Sequence, residues 1–407
     1  MVVITLLVVG TLLGLSIVLY SARVQRSEQY QALVVPLANI MDIGFVAMTP
    51  IIVLITGLDS PLTMLGLSAV GFAMGGVMRY NIRMFEPVAD EKGVLQRVAT
   101  ISQASLIVAS LVNVAYYLQL MAAVVVLLVV LPFGVDAIAQ VNVSATVVIA
   151  VCSLVALGLI GYYFGLEKLN ALGERTTAFN LAAIAAIIVG FLAYNVDVAL
   201  AGNWSLPAYN PPLTSQSARQ VIGFFAIVQG FEASRYLGEH YSAAVRSKTM
   251  RAAQIIAAVA FVLFPASALL LFAEVRPELE PIAVVQIAQV ASPVLPWLIL
   301  LLAVGSQASA SVNAISSRSD VLIELTNSEI PRRFTYPMLA LGAVAVVLVT
   351  DVLAAVAVAS RVFAVFFALQ CVIAVIVASR SKQWLHVVGI VLVGLAMVTI
   401  AIFGVSS

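Results

Sequence analysis

The chain has 407 residues, of which 63% are apolar and only 10% are Asp, Glu, Lys or Arg. A soluble domain carries about 25% charged residues, so the composition excludes a soluble enzyme and a disordered chain. The formal net charge of +1 provides no basic surface for nucleic acid. The composition predicts an integral membrane protein that is surrounded by a lipid bilayer.

Long unbroken apolar runs predict an all-α protein with about twelve transmembrane helices, because roughly 20 apolar residues cross a bilayer as a helix. A β-barrel would show short alternating segments instead. Positive charge follows the first run rather than preceding it, which favours an anchor helix over a signal peptide. The predicted spans, in chain order, are 2–22, 33–57, 60–81, 97–132, 144–165, 176–195, 217–237, 250–273, 294–325, 334–352, 356–380 and 385–405.

The positions of the basic residues predict the orientation in the membrane. Lys and Arg gather on the cytoplasmic side of membrane proteins. Placing both termini outside puts most of the 20 Lys and Arg residues on the inner side, whereas the opposite orientation inverts this bias. We therefore predict a protein of the plasma membrane or bacterial inner membrane whose N-terminus and C-terminus face outward.

The ten spans between the first and the last divide into two groups of five. Because five is an odd number, the second group begins on the opposite side of the membrane, which is the pattern of an inverted repeat. The predicted order is an N-terminal helix and linker over 1–32, a first repeat over 33–195, an outer loop over 196–216, a second repeat over 217–380 and a C-terminal helix over 381–407.

The first helix of each half carries a glycine and a carboxylate near its middle: Asp42 and Gly44 in the first half, Gly230 and Glu232 in the second. Glycine costs a helix about 1 kcal/mol, and a carboxylate at the bilayer centre costs about 2.5–3.5 kcal/mol. Both penalties at matching places predict a pair of broken helices, whose free backbone groups can bind a substrate and a cation. The alternative is that the glycines serve helix packing and that Glu232 pairs with Arg235.

The ninth span repeats small polar residues at helical spacing, including Ser306 and Ser309, and such a face must turn toward water or partner helices. Serine hydroxyls suit a hard cation such as Na⁺, or they serve only close helix packing. In the same span, Arg318 could form an inner gate with Asp320 or Glu324. The favoured alternative is that Arg318 snorkels to the inner interface.

Two further spans carry side chains that could line a cavity. The fourth span presents Asn113 and Tyr117 on one face, and the eleventh carries a phenylalanine stripe that includes Phe363. Polar residues at membrane depth favour a cavity lining, whereas aromatic stripes at helical spacing are also typical of packing. The two histidines are far apart in sequence, so we predict no metal site built from them, and no catalytic arrangement lies at membrane depth.

The stretch 223–233, in which a phenylalanine-rich run ends in Gly230-Phe231-Glu232, resembles the sixth core helix of amino-acid permeases of the APC superfamily. The stretch 311–334, with Arg318 and Pro331, resembles the eighth helix and following loop of that family. The extra leading helix and the context of 42–44 are similar to the sodium:solute symporters. The resemblance implies a five-plus-five inverted-repeat core, the LeuT fold, with one extra helix at each end and alternating access around a central site.

The resemblance implies a cation-coupled transporter of a small organic solute, an amino acid or related amine, with Na⁺ favoured over H⁺ and no cofactor beyond the coupling ion. A non-transporting sensor and an exchanger are the alternatives. The predicted substrate-binding residues are Asp42, Gly44, Phe45, Asn113, Tyr117, Gln229, Gly230, Phe231, Glu232 and Phe363. The resemblance also implies a cation position between the first and eighth core helices, formed by the backbone of Ile40 and Ile43, the side chain of Asp42, and Ser306 with Ser309. Ser306-Gln307 stands where sodium symporters often show Ser-Thr, which weakens the Na⁺ assignment.

Overall fold

The computed structural model describes residues 1–89, 91–130, 143–274 and 283–406. The first half of the chain forms eight α-helices: α1 Val2–Leu19, α2 Ala22–Gln25, α3 Glu28–Ile40, α4 Ile43–Thr56, α5 Ser60–Met84, α6 Val94–Val130, α7 Val143–Phe164 and α8 Glu167–Leu200. The second half forms eight more: α9 Ser215–Gly223, α10 Ala243–Ala268, α11 Leu271–Glu274, α12 Ala283–Ala291, α13 Val294–Leu325, α14 Arg332–Val349, α15 Val352–Arg380 and α16 Trp384–Phe403. Two 3₁₀ helices, Phe225–Val228 and Phe231–Leu237, continue from α9.

Ten segments of the described chain are long and apolar enough to cross a membrane. One of these segments, Glu28–Met84, contains two crossings, because α3 and α4 form the first and α5 forms the second. The run of α9 and the two 3₁₀ helices adds a further crossing that is built from short pieces. Together these crossings account for the twelve spans that the hydropathy of the sequence predicts.

Several helix boundaries differ from the predicted ones, because capping as well as hydropathy decides where a helix begins. The eighth predicted span starts at 250, but α10 starts at Ala243, where Ser242 accepts a hydrogen bond from the Val245 N–H at 3.3 Å. The sixth predicted span starts at 176, but α8 begins at Glu167. The last two residues of the fourth predicted span, 131–132, lie outside the described residues.

The packing between the two halves follows a two-fold pattern. α5 packs on α10, α6 on α13 and α7 on α14, so equivalent helices of the two halves meet. α6 also packs along α15, and the equivalent pair, α13 and α8, packs in the same way. The two halves thus form one inverted-repeat core. α1 packs outside this core on α8, and α16 packs outside it on α15.

We call the side on which most basic residues lie the inner side, following the predicted orientation. On the outer side, the loop after α8 covers the end of α4: the Tyr209 hydroxyl donates to the Leu54 carbonyl at 2.6 Å, and Pro211 packs against Gly57. On the inner side, ion pairs join the helix ends. They are Arg246 with Glu86 at 2.6 Å, Arg332 with Asp320 at 2.5 Å and Arg380 with Glu91 at 2.7 Å.

Candidate functional site

The first helix of the first half is broken where the sequence predicts a break. α3 ends at Ile40, and Met41 leaves the helical conformation with φ −97° and ψ 49°. Asp42 then starts α4 as its N-cap, because its carboxylate accepts a hydrogen bond from the Gly44 N–H at 2.6 Å. The carbonyl end of one half-helix and the N–H end of the other therefore meet at Asp42, with partial charges of opposite sign.

The second break lies after α9. The backbone of Gln229 is extended, and Gly230 follows with φ +114°. The Glu232 carboxylate accepts a hydrogen bond from the Gly230 N–H at 2.8 Å, so each break is held by the carboxylate that the sequence places there. A Cβ atom on Gly230 would lie 2.6 Å from the carbonyl carbon of Asn39. The two breaks therefore touch backbone to backbone, and only glycine fits at this point.

A small void, which we call the central void, lies between the two breaks. It offers about 10 Å³ to the centre of a water-sized sphere, which is room for about one water molecule. Its wall is rich in oxygen atoms: Asn113 donates its amide N–H to the Tyr117 hydroxyl at 2.7 Å, and the Asp42 carboxylate lies in the same wall. The lining residues are Asn39, Asp42, Gly44, Asn113, Tyr116, Tyr117, Ala226, Ile227, Gln229 and Val356.

Two polar atoms at the central void, the Tyr116 hydroxyl and the Gln229 Oε1, are buried and have no hydrogen-bond partner within the described part of the chain. The Tyr116 hydroxyl lies beside Gly44, where a Cβ atom would approach it to 2.6 Å. Most buried polar groups are hydrogen-bonded, and leaving one unpaired costs about 1–3 kcal/mol. Unpaired oxygen atoms beside a carboxylate therefore make this void the candidate ligand site.

A larger cavity of about 310 Å³, which we call the inner vestibule, continues from the central void toward the inner side. This volume is in the range of small-molecule pockets, about 300–1,000 Å³. Its walls include Gly230, Phe363 and the buried Glu232, which is 4% exposed. Four residues line both spaces: Asn39, Asn113, Tyr117 and Gln229. The central void and the inner vestibule are therefore neighbours that share part of their walls, and the outer end of α4 is covered by the loop after α8.

Arg318 crosses the inner vestibule, so the favoured prediction that it snorkels to the interface is wrong. Its Nε donates to the Ser110 hydroxyl on α6 at 2.7 Å, and its guanidinium lies 5.4 Å from the ring centroid of Tyr236. The predicted gate partners, Asp320 and Glu324, contact other residues instead. Arg318 therefore places a positive charge in the vestibule wall.

The alternative in which Glu232 pairs with Arg235 is also not observed. Arg235 donates to the Gln370 amide oxygen at 2.7 Å and lies over the Phe85 ring at 5.2 Å from its centroid. Glu232 instead caps the backbone at Gly230. The buried carboxylate therefore lies in the vestibule wall without a salt bridge among the described residues.

Two of the predicted substrate-binding aromatic residues lie in packed clusters. Phe45 contacts Phe261 and Phe264 of α10, with ring centroids 4.9 Å and 5.5 Å away. Phe231 stacks on Phe367 at 5.3 Å. Neither residue lines the central void or the inner vestibule. Residues next to them in the sequence line these spaces. Because successive residues of a helix point in different directions, the rings of Phe45 and Phe231 face away from both cavities.

Of the predicted cation-binding residues, Asp42 lines the central void and the others do not. For Ile40 and Ile43 the prediction concerns the backbone, and it stays a prediction. Ile40 lines a separate small void between α5 and α10, and Ile43 is buried in the hydrophobic core. Ser306 is buried, and Ser309 packs against Gly173 of α8, where no Cβ atom would fit. For Ser309 the structure supports the close-packing alternative.

Three residues of interest were not among the predicted ligands: Asn39, Tyr116 and Gln307. Gln307 is fully buried on α13, and neither its amide nitrogen nor its amide oxygen has a partner within the described chain. Residues three and seven positions further along α13, Ala310 and Ala314, line the inner vestibule, so Gln307 lies on the same helix face. The sequence signal that could have identified Gln307 is a polar side chain in the middle of an apolar membrane helix.

The chain matches the model of an APC superfamily transporter family over residues 22–404, and it belongs to that family. Family and fold make it an integral membrane protein that acts as a secondary transporter and not as an enzyme. It is 28% identical over 389 residues to an uncharacterised protein of Aquifex aeolicus (strain VF5), which covers 94% of this chain and 92% of that protein.

Two solved structures share the fold of the chain at low sequence identity. A manganese transporter of Eremococcus coleocola, in complex with an aromatic bis-isothiourea substituted compound, is similar with a TM-score of 0.55 and 13% identity, over 91% of this chain and 85% of that one. Mhp1, a nucleobase-cation-symport-1 family transporter in a closed conformation with bromovinylhydantoin bound, is similar with a TM-score of 0.50 and 14% identity, over 86% and 76%. Both likenesses show the LeuT fold.

Proposed function

We propose that this protein is a cation-coupled secondary active transporter of a small organic solute with an ammonium group, an amino acid or related amine. The observation that carries the proposal is the central void, where the Asp42 carboxylate meets the unpaired oxygen atoms of Tyr116 and Gln229. An ammonium group supplies three N–H donors and a positive charge. It satisfies all three oxygen-bearing groups at once and fits a space for about one water molecule.

The rest of the substrate is expected to lie in the inner vestibule, because the central void is too small for a whole amino acid. The vestibule shares wall residues with the void and carries the apolar ring of Phe363. It also carries the Arg318 guanidinium, whose planar donors suit a carboxylate. The Asp42 carboxylate at the central void complements an ammonium group, and the Arg318 guanidinium in the vestibule wall complements a carboxylate. This pair of charges favours a zwitterionic amino acid over a simple amine.

The coupling cation in this proposal is Na⁺, placed beside Gln307 and Ser306 on α13. Amide and hydroxyl oxygens are hard ligands of the kind that such cations prefer, and the Gln307 oxygen is buried without a partner among the described residues. A proton is the competing coupling ion, and the buried Glu232 of the vestibule would carry it. The two cases differ in whether a sodium or a proton gradient drives uptake.

The experiment is uptake of labelled amino acids and amines into liposomes that contain the purified protein, with an inward Na⁺ gradient, an inward H⁺ gradient or none. We expect accumulation driven by Na⁺ that is lost in Asp42→Asn. The matched control is Asp197→Asn at the exposed outer end of α8, which should transport like the wild type. Undiminished uptake in Asp42→Asn would contradict the assigned site.

Other outcomes of the same experiment separate the alternatives. Binding of a solute without flux under any gradient contradicts transport and favours the sensor. Uptake that requires solute inside the liposomes favours the exchanger. Accumulation driven by H⁺ and lost in Glu232→Gln moves the coupling role from α13 to Glu232. The uptake assay also tests manganese as a transported solute, since the similar Eremococcus coleocola protein is a manganese transporter.

A further inference from the structure

A groove on the lipid-facing side of the protein runs between the inner halves of α5 and α16. Its volume is about 670 Å³, which is in the range of ligand pockets. α16 begins at Trp384, which is 65% exposed, and exposed Trp residues mark the level of the lipid headgroups. The groove therefore extends from the inner membrane interface toward the middle of the bilayer.

The part of the groove nearest the bilayer middle is apolar and wide. Small residues on both walls, Ala73, Gly76 and Gly389, keep the helices' side chains out of it. A Cβ atom on Gly389 would meet no other atom within 4 Å. Val77 and Ile390 complete this section, so its surface is mainly apolar and suits a hydrocarbon chain. The Arg79 guanidinium lies behind Gly76, 3.7 Å from where a Cβ atom of that residue would be.

The inner end of the groove has the opposite chemistry. Arg83 and His386 lie there, together with Tyr80, whose hydroxyl donates to the Gln383 amide oxygen at 3.1 Å. Arg83 is exposed and joins no ion pair among the residues that the structure describes. Lys382 adds a second exposed cation one residue away from Gln383. Among the residues that the structure describes, this end therefore carries positive charge without an acidic ion-pair partner, at headgroup level.

We propose that the groove binds an acidic phospholipid of the inner leaflet, with its phosphate at Arg83 and His386 and an acyl chain along the apolar section. Basic pockets between transmembrane helices on the cytoplasmic side suit anionic headgroups. Free phosphate would leave the apolar section empty, and a lipid without net charge would leave the cations unpaired. The bound lipid would brace α16 against α5 at a point remote from the substrate site, so this inference is independent of the proposed function.

The experiment compares lipid binding by the purified, delipidated full-length protein, using native mass spectrometry with phosphatidylglycerol and with phosphatidylcholine. We expect a preference for phosphatidylglycerol that falls about fivefold in Arg83→Gln, since one basic residue at the surface contributes about 1 kcal/mol. Arg97→Gln is the matched control, because Arg97 is an exposed inner arginine outside the groove. Equal binding of both lipids by the wild type, or an equal loss in both variants, would overturn the proposal.

A second variant tests the acyl-chain part of the proposal without touching the charges. Gly389→Leu fills the apolar section and should weaken phosphatidylglycerol binding while leaving the thermal stability of the lipid-free protein unchanged. Retained binding in Gly389→Leu, or competition by inorganic phosphate at the same concentration, would show adsorption of the headgroup alone and would refute a lipid site.

Discussion

The contact between the two helix breaks at Gly230 yields the sharpest stability prediction. Replacing Gly230 with Ala forces an L-residue into a backbone conformation with φ +114°, which costs about 1–3 kcal/mol. The new Cβ would also lie 2.6 Å from the Asn39 carbonyl carbon, and overpacking of this kind adds about 1–3 kcal/mol. Because the obstacle is backbone rather than a flexible side chain, we expect a total loss of about 2–6 kcal/mol.

The loss can be measured by unfolding the protein in mixed micelles with a rising fraction of SDS, followed by tryptophan fluorescence. Gly66→Ala is the matched control, since Gly66 lies inside α5 and a Cβ there would meet no atom within 4 Å. The control should be neutral or slightly stabilising, because Ala is the better helix former. If Gly230→Ala unfolds like Gly66→Ala, the two breaks do not touch and the geometry of the site is wrong.

Three further predictions concern single side chains. Tyr116→Phe removes a buried hydroxyl without a described partner. The free energy of unfolding should therefore stay the same or rise by about 1 kcal/mol, while solute binding weakens. A less stable variant that still binds solute would contradict this prediction. Arg246→Met leaves the Glu86 carboxylate, its 2.6 Å partner, without its counter-charge. Because the Glu86 side chain is 27% exposed, the cost in SDS unfolding should be about 1–3 kcal/mol, below that of a fully buried pair. Arg332→Gln breaks two ion pairs, with Asp320 and with Glu167, in which every side chain is at least 51% exposed. It should therefore cost less than about 1 kcal/mol.

The two breaks could be predicted because their cause is local. A glycine and a carboxylate at mid-span, as at Asp42 and Gly44, carry a cost in any membrane helix. The sequence does not show that Asp42 itself would be the N-cap of the second half-helix, since that depends on where α3 ends. The number of transmembrane spans could also be predicted from the sequence, because hydropathy over roughly 20 residues does not depend on tertiary contacts.

The rotation of each helix about its axis could not be predicted from the same information. Successive helical residues point about 100° apart, so Gly44 lines the central void while Phe45 packs into α10. The partner that decides this, Phe261, is more than 200 residues away in the chain. For the same reason, Arg318 was expected at the interface and instead reaches Ser110 across the vestibule.

Recognition of an ammonium group by Asp42 can be measured as ligand-induced thermal stabilisation of the purified protein in detergent. A ligand at ten times its dissociation constant stabilises the folded state by about 1.4 kcal/mol. Each amino acid of a panel is compared with the same compound lacking its ammonium group, in the wild type, Asp42→Asn and Asp197→Asn. We expect that at least one amino acid stabilises the wild type and Asp197→Asn but not Asp42→Asn, and that its deaminated analogue stabilises none of the three proteins. Equal stabilisation by the analogue, or full stabilisation of Asp42→Asn, would contradict it.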